Sequence, residues 1–180
     1  MSHLNDTPSS LLVSNLQLIK KLNSEYKVLD LACGEGRNGI YLLKNNVPVV
    51  FADTSKSALG VVAEKLQGSD QQFDCWQVDL EQDGLSPLSD KRFAAVLVFN
   101  YLHRPLMDPI REAIEPGGLI IYETFTTENR QFGRPNNGDF LLKQKELEYL
   151  FEDWDILHSF EGVEQNPKRA IANIVARKPN

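Results

Sequence analysis

The chain has 180 residues, a formal net charge of −6, and 42% hydrophobic and 24% charged residues. That length and composition fit one globular domain with a sizeable core and contain no apolar run long enough to cross a bilayer. The acidic balance weighs against a nucleic-acid groove, because neutralising many phosphates calls for a basic excess or stripe. Only Arg130 with Arg134, and Lys168-Arg169, lean basic.

Residues Met1–Asp6 lack a basic region followed by an apolar core, so no secretory leader is expected. Cys33 and Cys75 are too few for a disulfide framework or a zinc site and read as buried, reduced thiols of a cytoplasmic protein; no metal is expected. Thr7-Pro8 reads as an N-cap followed by proline at the first helical position. It opens an amphipathic helix from Ser9 to Lys21, with Leu11, Leu12, Leu16, Ile19 and Leu22 as its apolar stripe. Residues 27–39 read as a strand that stops at a glycine loop and restarts as a helix over Arg37–Asn45. Val47–Ala52 is a buried parallel strand, Ser55–Gln67 a helix, Phe73–Val78 a third strand and Phe93–Phe99 a fourth.

Between the third and fourth strands, Glu81–Arg92 carries Gly84, Pro87 and many polar residues, which argues against a full crossover helix. Pro105–Ala113 is helical and stops at the turn Glu115-Pro116-Gly117-Gly118, which feeds a fifth strand, Leu119–Glu123. Residues 124–140 form a long loop rich in Thr, Asn, Gly and Arg, of the kind that is functional or mobile. Lys143–Phe151 is a helix. Trp154–Phe160 and Ala170–Ala176 follow with no helix between them, which favours an antiparallel pair whose Lys168-Arg169 is a solvated turn. Trp76, Trp154, Phe73 and Phe99 are expected in the core. Alternating strands and helices imply a parallel sheet covered on both faces, with ligands beyond the carboxyl ends of the strands.

The glycine loop Ala32-Cys33-Gly34-Glu35-Gly36 is the segment that carries chemistry. Glycines without Cβ let the chain turn sharply and a ligand approach the bare backbone, and the helix that follows aims unpaired N–H groups and its positive dipole end at that ligand. Gly34-x-Gly36-x-x-Gly39 also fits the dinucleotide fingerprint. Asp30, four residues before Gly34, separates the two readings. A carboxylate there would repel a pyrophosphate and suits the cationic amino-acid end of S-adenosylmethionine. Asp53 ends the second strand, where it can take both ribose hydroxyls or cap the next helix. Asp79-Leu80 ends the third, where a carboxylate can accept from an adenine amino group. A dehydrogenase would also need a further region for its substrate.

Val28–Asn38, Asp53, Asp79, the Glu115–Gly118 turn and the closing hairpin, in that order, resemble the class I S-adenosylmethionine-dependent methyltransferase family over nearly the whole chain. Leu31–Asn38 is similar to small bacterial methyltransferases of the tellurite-resistance-related type. The resemblance implies one α/β domain over residues 1–180. Its Rossmann-like seven-stranded, mostly parallel sheet would have strand order 3-2-1-4-5-7-6, strand seven antiparallel, and helices on both faces. It implies a cofactor site of Asp30, Ala32, Cys33, Gly34, Gly36 and Asn38 around the methionine part, Asp53 and Thr54 on the ribose, Asp79 and Leu80 around the adenine, and Asn100 at the methyl end. S-adenosylhomocysteine would be the product. Phe93-Ala94 departs from the family where many members begin the fourth strand with Asp, and Gly39 stands where a larger helix former is common. Gly39 is read as coincidence that slightly weakens the helix.

Methyl transfer is in-line displacement at a sulfonium carbon, so most of the work is positioning in a water-poor pocket. Thiols and chalcogen oxyanions need little base catalysis. His103, in Asn100-Tyr101-Leu102-His103-Arg104, is the candidate base or hydrogen-bond donor, against a loop histidine bonded to backbone; Arg104 reads as a surface residue opening a helix. Arg134, with Arg130, is the candidate acceptor-recognition residue in a substrate loop over 124–140, against a loop pinned by its own contacts. The acceptor is expected to be a small molecule. The alternatives are a cofactor-binding regulatory module without turnover, and an RNA or protein methyltransferase; the absence of an Asn-Pro-Pro-aromatic sequence counts against nucleic acid.

Overall fold

A computed structural model describes residues 7–82, 84 and 86–180. Expectations resting on residues 1–6, 83 and 85 lie outside the described residues. The strands are β1 (Val28–Leu31), β2 (Val49–Asp53), β3 (Phe73–Gln77), β4 (Phe93–Phe99), β5 (Ile114–Phe125), β6 (Asp155–Gln165) and β7 (Lys168–Arg177). The α-helices are α1 (Ser10–Lys20), α2 (Arg37–Lys44), α3 (Lys56–Lys65), α4 (Met107–Ala113) and α5 (Glu146–Leu150). The sheet order is β3-β2-β1-β4-β5-β7-β6. β1 to β5 pair in parallel, and β7 runs antiparallel to β5 and β6, as the alternation and the closing hairpin imply.

β4 is apolar throughout because both its faces are covered; every residue from Phe93 to Phe99 is buried. Val96 and Val98 join Leu106, Met107, Ile110 and Phe151 beneath α4 and α5. Ala95, Leu97 and Phe99 join Leu12, Leu16, Leu42 and Val62 beneath α1, α2 and α3. Successive side chains of a strand point to opposite faces, so the sheet divides two apolar layers. β5 and β7 follow the same rule at their polar ends. Glu123 and Asn173, paired across the two strands, alternate with residues of the α4 layer and so face α1.

The structure corrects several boundaries. α1 starts at Ser10 with Ser9 at its cap, two residues later than a Thr7 cap suggests. The Ser9 amide is held by Asn38 Oδ1 at 2.9 Å, so a partner on α2 sets the boundary. β3 lies at the edge of the sheet, which leaves Cys75 exposed and Trp76 and Phe73 half-buried, against the expected burial. β5 begins at Ile114, opposite Phe93; Leu119 then stands opposite Ala95, so Glu115–Gly118 bulge against Ala94 alone. Gly117 takes the left-handed φ of 75° that the bulge requires. α5 is confined to Glu146–Leu150, shorter than its apolar pattern indicates.

Gly39 has a steric role. A Cβ built there would lie 2.3 Å from Phe51 Cε1 and 2.9 Å from Asp30 Oδ2, so the missing side chain is what lets α2 lie against β1 and β2. Gly39→Ala is expected to destabilise the fold by about 1–3 kcal/mol through overpacking, although alanine is the better helix former. Urea denaturation would measure the loss. Phe51→Leu in the same chain should return part of it by shortening the clashing side chain, and full stability in Gly39→Ala alone would refute the packing role.

Candidate functional site

The carboxyl ends of β1, β2, β3 and β4 open on a cleft with two lobes. One, of about 360 Å³, is lined by Asp30, residues 31–35, Arg37, Asn38, Phe99 and Asn100. The other, of about 430 Å³, is lined by Ala32, Asp53, Thr54, residues 78–81 and Tyr101. Ala32 belongs to both. It holds φ at 52°, and Asn100, just past the neighbouring β4, holds φ at 56°. Left-handed conformations at non-glycine residues cost on the order of 1–3 kcal/mol each and gather at functional sites. Of the residues named from sequence as cofactor-binding, Asp30, Ala32, Cys33, Gly34, Asn38 and Asn100 line the first lobe, and Asp53, Thr54, Asp79 and Leu80 the second. Gly36 is buried beneath the loop at φ 77°, and a Cβ there would meet Val62 and Phe51.

Local chemistry explains the loop. α2 starts from Gly36, which has no side chain to cap it. Asp30 supplies the cap from β1: its Oδ2 accepts from the Gly39 amide at 2.8 Å, one of the N–H groups that a helix start leaves unpaired. Asp30 is 3% exposed. Burial raises its carboxyl from the ordinary 3.8 to about 7, against the lowering effect of the Gly39 bond and the Arg37 charge. Asp53 closes the loop from β2, with Oδ2 accepting from the Gly34 amide and Oδ1 from the Ser55 amide, both at 2.8 Å. The cap of α3 is therefore Ser55, whose Oγ accepts from Ala58, and Asp53 is left to face the cleft. A carboxylate offers about four acceptor positions, so Asp53 can still take a ligand hydroxyl. The Cys33 thiol is raised well above its usual range by burial and then by Asp30 and Asp53, which removes it as a nucleophile. Asp79 accepts from the Glu81 amide at 2.9 Å.

His103 stands beside the second lobe, its Nδ1 4.0 Å from Glu81 Oε2. Arg134 lies exposed in the 124–140 segment, its carbonyl held by Asn129 Nδ2 at 3.3 Å. No hydrogen bond or ion pair joins the two among the described residues. The segment itself is stitched down. Buried Asn129 accepts from the Ala170 amide of β7 at 3.0 Å, Arg130 Nε donates to the Asn136 carbonyl at 3.2 Å, and Lys168 lies 4.9 Å from the Phe132 ring.

Two arginines carry contacts that their positions in sequence do not suggest. Arg104, read as a surface residue, forms a two-bond fork with Glu146 at 2.6 and 2.8 Å and also donates to the Asp139 and Leu141 carbonyls. It thereby fastens the loop after β4 to the end of the 124–140 segment. Arg169, read as part of a solvated turn, donates to Glu123 at 3.1 Å and to Glu164 at 2.8 Å. Partners 42 and 46 residues apart leave no periodic signal.

Residues 28–118, just over half of the chain, match the family model described as "Methyltransferase domain". The Haemophilus influenzae protein named "Probable S-adenosyl-L-methionine-dependent methyltransferase TehB" is 25% identical over 172 residues, covering 88% of this chain and 59% of the relative. The chain thus spans less than two thirds of that relative's length. The crystal structure of TehB from Haemophilus influenzae superposes with a TM-score of 0.71 at 21% identity, over 92% of this chain and 62% of that one. Magnesium protoporphyrin IX methyltransferase from Synechocystis PCC 6803 with bound SAH superposes with a TM-score of 0.67 at 16% identity, over 93% and 81%. The glycine loop, the carboxylates at three strand ends and the strand order all fall within this framework: the chain belongs to the class I S-adenosylmethionine-dependent methyltransferase family.

Proposed function

We propose that the chain transfers the methyl group of S-adenosylmethionine to a small-molecule acceptor by in-line displacement. The observation that carries this reading is the two-lobed cleft with a carboxylate at each end, Asp30 in one lobe and Asp53 with Asp79 in the other. A pyrophosphate would meet the buried Asp30 charge, whereas the amino group of S-adenosylmethionine would gain from it. The cradle fits such a group: Gly34, at φ 55°, has no atom within 4 Å of where its Cβ would stand, so a ligand can lie directly on its backbone. SAH bound in the similarly folded Synechocystis enzyme supports the same occupant.

Bound S-adenosylmethionine supplies a methyl group already activated by its sulfonium, and the chain's task is to bind, orient and exclude water. Asp30, Cys33, Gly34 and Asn38 hold the methionine part, with Ala32 at the junction of the lobes, while Gly36 shapes the turn from beneath. Asp53 and Thr54 hold the ribose, Asp79 and Leu80 the adenine, and Asn100 faces the methyl end. Thiols and chalcogen oxyanions attack with little help; His103 serves as base or hydrogen-bond donor where help is needed, and Arg134 meets the acceptor from the 124–140 segment.

Calorimetric titration is expected to show S-adenosylhomocysteine binding and no binding of NAD. Asp53→Ala should weaken that binding about tenfold or more, the worth of a hydrogen bond to a charged group; unchanged affinity would remove Asp53 from the ribose.

Asp30 gives two opposed pH trends. Its folded pKa of about 7 exceeds the ordinary 3.8. The folded state therefore binds the extra proton between those values, and the unliganded protein loses stability as pH rises through them. The cationic amino group favours the ionised carboxylate, so affinity for S-adenosylhomocysteine should rise as pH climbs from ~5 to ~7. Asp30→Asn should flatten both curves, which thermal melts and titrations across that range would show; an unchanged pH profile in the variant would assign the trend to another group.

A further inference from the structure

The methionine part and the ribose of the cofactor fall to different lobes, so the sulfur bonded to both belongs where the lobes join. Two stretches of chain mark that junction. Ala32 lines both lobes, while Asn100 and Tyr101, consecutive after β4, line the first and the second. Among the described residues, two aromatic side chains line the cleft, Phe99 and Tyr101. Phe99 is buried in the layer beneath α1, α2 and α3. Tyr101 is half-buried against the opposite layer, as are Ala32 and Val78.

Tyr101 is held at both ends. Its carbonyl accepts from the Tyr122 hydroxyl at 2.9 Å. Its own hydroxyl donates to the Glu81 carboxylate; burial first, then the charge and hydrogen bond of Glu81, raise that hydroxyl well above its usual range and keep it protonated. Tyr101 follows β4 and Glu81 follows β3, and in the sheet β1 and β2 lie between those two strands. The two side chains therefore meet across the ends of β1 and β2, and the ring runs from the junction over the second lobe. A phenol that donates to a carboxylate is polarised by it. Its ring face becomes more negative, and that face is what attracts a cation.

Resting on the methyltransferase reading above, we propose that the Tyr101 ring receives the sulfonium of S-adenosylmethionine and is the residue by which the chain tells the charged methyl donor from its neutral product. The contacts assigned to Asp30, Asp53 and Asp79 make no such distinction, because the amino group, the ribose and the adenine are the same in both molecules. The ring's attraction ends when the sulfur is a neutral thioether, so Tyr101 favours loading of the donor and release of the product. Glu81 acts through the ring and is a positioning residue.

The test is calorimetric titration of S-adenosylmethionine and of S-adenosylhomocysteine, with no acceptor present, read as the ratio of the two dissociation constants. Tyr101→Leu is expected to reduce the preference for S-adenosylmethionine about fivefold. Tyr101→Phe, which keeps a ring face, should retain most of it. Replacing Tyr101 by pentafluorophenylalanine keeps the shape of the ring and reverses its quadrupole. That replacement should lower the preference as far as Tyr101→Leu does, and it carries the test where Tyr101→Leu fails to fold. An unaltered preference in the leucine or the fluorinated protein would overturn the proposal; equal weakening of both ligands would place the ring on the adenine instead. Failure of both ligands to bind the unsubstituted protein would overturn the cofactor reading itself, and this assignment with it.

Discussion

The hydrogen bond from the Gly39 amide to Asp30 ties a helix start to a strand end, and most of the cleft's geometry depends on it. α2 begins at a glycine and needs an acceptor from elsewhere for its first turn. The acceptor is a carboxylate buried at the end of β1, and burial of that kind is tolerable only with compensating contacts. The helix can reach it only because position 39 lacks a Cβ. Once α2 is seated, its Asn38 receives the Ser9 amide and fixes where α1 starts. Cofactor loop, first helix and N-terminal helix are thus one mechanical unit.

The sheet had a strong signature in the chain because its central strands are buried on both faces. A seven-residue apolar run such as Phe93–Phe99 has the length of a buried strand and is short for a core helix. The strand-end carboxylates are legible too, since Asp53 closes an apolar run and Asp30 and Asp79 stand where strands give way to loops. What could not be read was set by neighbours distant in sequence. The edge position of β3 exposes Cys75, and no local pattern announces that a strand will lack a partner on one side. Gly39 looked like a helix-weakening accident because propensity is local, whereas the ring of Phe51 that needs its space comes from another strand. Arg104 and Arg169 looked solvated for the same reason: their carboxylate partners arrive from other elements.

The two faces of the sheet divide the chemistry. Tyr122 points into the α4 layer, where its hydroxyl donates to the Tyr101 carbonyl at 2.9 Å and braces the loop after β4. Glu123, the next residue, points to the α1 face and sits in a polar network. One strand thereby supports the cofactor side through backbone and presents a charge on the other, a consequence of the two-residue period of a strand. Asn129 extends this order outward, since its side chain bonds to β7 and holds the following turn against that strand.

The fork between Arg104 and Glu146 has a consequence for how such a protein can diversify. It joins a short loop that follows β4 to the far end of the 124–140 segment, with two backbone carbonyls as further anchor points. A planar guanidinium satisfied by four bonds at once tolerates little displacement of any partner. The excursion is therefore not an interchangeable cassette. Grafting a different segment between β5 and α5 would strand a guanidinium in the neighbouring loop unless position 104 changed with it, so the two stretches form a single heritable part although Arg104 lies 35 to 42 residues from its partners.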